Sequence, residues 1–162
     1  MKRIQLTAFN IAILIILFCN TLIAQNVTDN SYKKNTLHGS LGTVAIVNTA
    51  TVFYERILTE STSPSKFTTF ARVGFQGSNA IDVWGGDNIN GNSLILQGGI
   101  LTGPNRSHFE GALGVAYMMT ESSSFIPAFT LGYRNQVPGK KFMFRIGVGL
   151  PELLYVGVGY SF

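Results

Sequence analysis

The residue types suited to nucleophilic chemistry come together once in this chain, at Ser107, His108 and Glu110. A hydroxyl activated by an imidazole, with a carboxylate to orient the ring, is the arrangement that acyl transfer and ester hydrolysis require. The spacing works against that reading, because Ser107 and His108 point to opposite sides of any regular strand. A hydrogen-bonded histidine at a turn is the simpler expectation. The second histidine, His38, lies far away in sequence. Gly147-Val148-Gly149 and Gly157-Val158-Gly159 superficially match phosphate-binding glycines, but no strand-to-helix turn surrounds them. The run Asp87 to Asn92 (DNINGN) has oxygen-rich, calcium-like chemistry, yet it lacks the spacing and terminal Glu of an EF-hand loop and reads as a polar turn. No catalytic residue, metal ligand set or cofactor motif is therefore expected.

A different constellation emerges once the chain is divided into elements. After residue 36, short segments alternate large apolar with small or polar residues, and breaks rich in Gly, Pro and Asn separate them. The pattern predicts eight strands at 37–48, 50–59, 67–77, 92–102, 107–118, 125–135, 141–150 and 153–162. Each is close to the ~9–11 residues that a tilted strand needs to cross a bilayer. Phe142, Phe144, Ile146, Val148 and Leu150 share one face of the seventh segment, opposed by Met143, Arg145, Gly147 and Gly149. In the fifth, Phe109, Leu113, Val115 and Tyr117 oppose His108, Glu110, Ala112, Gly114 and Ala116; in the sixth, Phe125, Phe129, Leu131 and Tyr133 oppose Ala128, Thr130, Gly132 and Arg134. A soluble barrel would turn the large residues inward, and a face of Gly and charge could not fill that core. The opposite arrangement, apolar face to lipid and polar face to the lumen, suits both. The fold expected is thus all-β: an eight-stranded antiparallel up-and-down transmembrane β-barrel.

That assignment sends Glu55, Arg72, Glu110, Arg134 and Arg145 into the lumen. An eight-stranded barrel is only wide enough for side chains to fill it, so these charges must pair or be hydrated. We expect an ion-pair network plugging the barrel, assisted by Gln97, Tyr155 and Ser161. Gly157 and Gly159 would leave room beside Arg145 and Arg134. Tyr54, Tyr117, Tyr133, Tyr160 and Phe162 are the candidate interfacial aromatics, and Arg56 would snorkel from the outer face toward headgroups.

The N-terminus fits export. Lys2 and Arg3 precede the apolar run Ile11 to Phe18, and Ala24 precedes Gln25, which reads as a signal peptide over 1–24. The apolar run is short for a membrane helix, which needs ~20 residues. Phe18, bulky where a lipoprotein signal needs a small residue, argues against Cys19 as a lipidation site. Cleavage would remove the chain's one cysteine, and with it any disulfide, thiol nucleophile or cysteine-bound metal. It would also take two positive charges from a formal net +4. The remaining basic residues are scattered along the chain, so no nucleic-acid partner is expected. Residues 25–36 read as a polar periplasmic lead-in, and 78–91, with Asp82, Trp84 and Asp87, as the longest external loop.

Residues 37–162 resemble a family of small bacterial outer-membrane β-barrels similar in size to the OmpA and OmpX barrel domains. The segments that carry the resemblance are Phe53-Tyr54-Glu55-Arg56, His108-Phe109-Glu110, Leu131-Gly132-Tyr133-Arg134 with its Pro-Gly turn, Phe142 to Gly147, and Gly157 to Phe162. The resemblance implies location in the cell outer membrane, contact with outer-membrane lipids, and recognition of the C-terminal strand by the barrel-insertion machinery; it supplies no catalytic residues. A monomeric, non-catalytic barrel with a structural or surface-interaction role is the leading expectation. A narrow gated ion or solute channel, a lipid A-modifying enzyme using His108, and an adhesin using the loop near Trp84 are the alternatives.

Overall fold

The computed structural model describes residues 32–60, 67–80, 89–102, 106–119 and 123–162. The expected signal peptide, residues 25–31 of the lead-in, and Asp82, Trp84 and Asp87 of the long loop lie outside the described residues. The described chain is all-β. Its strands are β1 (Asn35–Val44), β2 (Val47–Thr59), β3 (Phe67–Ala80), β4 (Ile89–Thr102), β5 (Ser107–Met118), β6 (Ser124–Gln136), β7 (Phe142–Leu150) and β8 (Leu153–Ser161). Each pairs antiparallel with its sequence neighbour, and β8 returns to pair with β1, closing the barrel. Closure leaves no edge strand in the sheet, although β6 rises above the shorter β7 and pairs with it only from Phe129 to Gln136.

Side-chain alternation is kept through the wall. Leu41, Leu58, Leu96, Leu113, Phe125 and Leu154 stand exposed on the outside, with Leu113 at 74% and Phe125 at 73% of full exposure. Arg72, Arg134, Arg145, Glu55 and Glu110 are buried inside. The barrel thus exposes most of its large apolar side chains and buries its charged ones, the reverse of the pattern usual in a water-soluble protein.

Several boundaries differ from the sequence reading. β1 starts two residues earlier, at Asn35, and ends at Val44; β2 begins at Val47. The sequence reading breaks these two strands at residue 49, a few residues beyond the turn, because neither Gly nor Asn occupies the turn itself. The chain reverses at Ala45 and Ile46, where Ala45 takes a positive φ of 51°, a conformation whose usual sequence marker is Gly or Asn. β3 and β4 extend to Ala80 and from Ile89, because the asparagines and glycines there still pair across the ladder, Asn79 with Asn90 and Ser78 with Gly91. Strand heights are unequal: β2 to β6 have 12–14 residues, whereas β7 and β8 have nine each. One side of the wall is low.

The lead-in also departs from expectation. Asn35 and Thr36 belong to β1, and Tyr32 is buried. Its phenol lies 2.7 Å from His108 Nε2, and its backbone N–H donates to Glu60 Oε1 at 2.8 Å. This short stretch enters the mouth of the barrel at the end where both termini of the described chain, Tyr32 and Phe162, lie.

Candidate functional site

Aromatic rings and glycines shape the lumen before charge enters it. Phe53 on β2 lies over its cross-strand partner Gly74 on β3, and Phe70 on β3 lies over its partner Gly99 on β4. A methyl group at either glycine would collide with the ring, so the pairing requires glycine there. Phe53 joins Ile95, Ala116 and Ala128 in one buried apolar cluster, and Phe70 joins Leu101 and Ala112 in another. The sequence reading places Ala112, Ala116 and Ala128 on this inner face but not the large Phe53, Phe70, Ile95 and Leu101. Their parity with Glu55 and Arg72 was the available signal.

The charges pack against these rings. Arg72 stands 4.7 Å from the Phe53 centroid, Arg134 5.6 Å from Phe70 and Arg145 4.3 Å from Tyr155. Cationic faces over aromatic quadrupoles are favourable, more so when desolvated. Glu110 is the hub: its Oε1 accepts from Arg72 Nη1 at 2.8 Å and from Arg145 Nη2 at 3.0 Å, and Arg134 Nη1 lies 3.6 Å from Oε2. Arg134 Nη2 donates to Glu55 Oε1 at 2.6 Å. Arg72 also donates to Gln97 Oε1 at 2.7 Å and to Thr130 Oγ1 at 2.9 Å. All five lumen charges named from the sequence thus meet in one network, together with Gln97 and Tyr155. Ser161 does not join it; its hydroxyl bonds Thr36 and Gln136 nearer the mouth. Gly157 faces Arg145 Cγ, whereas Gly159 makes room for His38 and Met143 rather than Arg134.

A sixth charge completes the set. Glu152, in the two-residue turn between β7 and β8, is buried inside the barrel. Its Oε2 lies 3.3 Å from Arg145 Nη2 and 3.8 Å from Arg72 Nη2, and its Oε1 accepts from Ser40 at 2.6 Å. The turn's carbonyls are held as well, Glu152 O by Thr49 and Pro151 O by Gln76, each at 3.0 Å. Because β7 and β8 are short, their turn sits within the wall and folds across the lumen. Turn residues have no parity, so alternation could not place Glu152. Charge balance could have asked for it: three buried arginines against two carboxylates leave one cation without a partner.

The histidines occupy separate sites. His38 lies four residues into the observed β1, inside the lumen rather than at its mouth, stacked on Phe53 with centroids 5.0 Å apart. Arg145 Nη1 lies 3.4 Å from His38 Nδ1. Arginine has only donors, so Nδ1 accepts and the ring proton sits on Nε2, facing Glu55 Oε2 at 3.8 Å. His108 Nδ1 lies 2.6 Å from the Thr102 carbonyl and must donate to it, which leaves Nε2 to accept from the Tyr32 hydroxyl. Ser107 points to the outside, with its hydroxyl 2.9 Å from that of Tyr133. Ser107 and His108 thus lie on opposite faces of the wall. Among the described residues no group of three His, Cys, Asp or Glu is arranged to hold a metal ion.

The five aromatics singled out from the sequence all face outward. Tyr54, Tyr133, Tyr160 and Phe162 stand near the end that carries both termini, and Tyr117 stands near the opposite end, 5.0 Å from the Phe125 ring. Tyr54 donates to Asn35 Oδ1 at 2.9 Å. No protein-family model, curated protein or solved structure matches this chain.

Proposed function

We propose that this chain is an outer-membrane β-barrel protein whose lumen is plugged by charge and which has a structural or surface-interaction role without catalysis of its own. One observation carries the reading: the barrel buries three arginines and three glutamates inside while exposing large apolar residues around its outer wall. Water-soluble monomers rarely expose contiguous apolar patches above a few hundred Å². Lipid makes the same surface favourable, and the closed ladder pairs each strand on both sides over the height the strands share, as a bilayer demands. The lumen supports a plug, because Phe53, Phe70 and the Arg–Glu network fill its middle. Each of the three carboxylates faces at least one guanidinium, which leaves none disposed to serve as a base. Export, outer-membrane lipids as neighbours and insertion as a monomer complete the proposal.

Fractionation of cells expressing the full chain tests it. The protein should float with outer membranes and migrate differently in detergent gels before and after heating, as folded barrels do. Recovery in the soluble periplasmic fraction would overturn the reading.

A further inference from the structure

The described basic residues outside the lumen, scattered along the sequence, are gathered in space. Lys33 and Lys34 precede β1, Arg56 lies near the end of β2 on its outer face, Arg106 precedes β5, and Lys140 and Lys141 precede β7. All six stand at the end of the barrel where both termini lie. Four of them are exposed and Lys33 and Lys141 are partly so. Glu60 is the one acidic group with them among the described residues. The opposite rim is neutral over its described residues: Thr43 donates to Asn48 at 2.9 Å, and Asn79 to Asn90 at 2.6 Å. The lumen, with three arginines and three glutamates among the described residues, balances in formal charge.

We infer that this basic collar binds the headgroups of an anionic phospholipid leaflet at the end of the barrel that carries both termini. The inference rests on the membrane reading above and adds lipid class and orientation to it. Two features select a lipid plane over a compact acidic macromolecule. The collar draws on β1, β2, β5 and β7, which lie around the circumference, so a flat layer of headgroups meets every member while a compact partner would reach only a sector. Outward aromatics of the same end, Phe67, Phe109, Tyr133, Phe142 and Tyr160, lie just inside the collar, where amphipathic rings settle at a headgroup boundary. Lys141 joins the two layers, with its Nζ 5.6 Å from the Tyr160 centroid. Arg56 has an alkyl stem long enough to lie along the apolar wall while its guanidinium reaches phosphate.

The test uses the chain without residues 1–24, refolded into phosphatidylcholine vesicles containing phosphatidylglycerol, with spin-labelled forms of each lipid reporting which one is immobilised at the barrel. Phosphatidylglycerol should be preferred about fivefold, the factor one basic residue near an anionic surface supplies. The preference should fall to near parity in the combined variant Lys34→Gln, Arg56→Gln, Arg106→Gln and Lys140→Gln. It should also fade as salt is raised on the unaltered chain, which decides the matter if the variant fails to fold. Equal association of the two lipids, or a preference indifferent to salt, overturns the inference while a heat-modifiable gel shift still reports an inserted barrel. Capture of soluble heparin with no lipid preference overturns it in favour of an acidic macromolecule. A chain that remains soluble and inserts into neither lipid overturns the membrane reading, and the collar's assignment with it.

Discussion

At the end of the barrel that carries both termini, Tyr32 enters the lumen on a neutral hydrogen bond to His108, whereas at the other end the β7–β8 turn delivers the Glu152 carboxylate to two arginines. Both groups are buried and both narrow a mouth. Their energetics differ, because a neutral hydrogen bond contributes only ~0.5–1.5 kcal/mol net, while a carboxylate taken from a buried ionic cluster leaves cations without compensation. The first closure can be lost at small cost to the rest of the barrel. The second is part of what keeps the barrel folded.

The largest effect that would sharpen this contrast is at Glu152. Glu152→Ala should destabilise the barrel by ~3–5 kcal/mol, since Arg145 and Arg72 each lose an anionic neighbour in a buried site; denaturant unfolding in detergent micelles would measure it. A loss no greater than that of a surface substitution would place the turn outside the network and remove the contrast. Tyr32→Phe, which keeps the ring and deletes the hydroxyl, should cost ~1 kcal/mol in the same assay.

Conductance separates the mouths from the middle. In planar bilayers the unaltered chain and Tyr32→Ala should both be silent, because Glu110, its three arginines and the two phenylalanine rings still close the centre. Discrete current steps from Tyr32→Ala would make that mouth the gate of a narrow channel.

Alkaline titration addresses the neutral closure by another route. Burial, and then the charge of Glu60, push the Tyr32 phenol from its ordinary 10.0 up to about 12. A raised pKa means the folded state favours the protonated phenol, so the contribution of this contact is full below pH 10 and is lost as pH rises through about 12. Ultraviolet difference titration of the unaltered chain and of Tyr32→Phe should differ by one late-ionising tyrosine. The smallest effect expected is at the rim, where Ala45→Gly should relieve the positive φ and stabilise by ~0.5 kcal/mol, the relief partly offset by added freedom in the unfolded chain.

What could be read from the sequence follows the same division between wall and mouths. The wall was legible because a period of two fixes the face of every strand residue, so Glu55, Arg72, Glu110, Arg134 and Arg145 could be sent inward together from local pattern alone. Their pairing was not legible, since it depends on which strands face each other across a closed barrel. The mouths were obscure for a further reason. Tyr32 and Glu152 lie outside the strands, where alternation has no meaning, and each is positioned by partners 76 and 112 residues away, His108 and Ser40. The Ala45 turn was hidden because an alanine in a glycine's conformation carries no compositional mark.

The unequal strand heights have a consequence for the surrounding bilayer. Nine residues in β7 and β8 are at the lower limit of what a tilted strand needs to cross hydrocarbon, while β3 and β4, at 14 residues each, rise past it. If the barrel sits in a bilayer as proposed above, lipid meeting the low side would be held to a thinner hydrocarbon layer than lipid on the tall side. The barrel would then impose a sloping membrane thickness around its circumference, a mechanical signature that neighbouring proteins could sense without touching it.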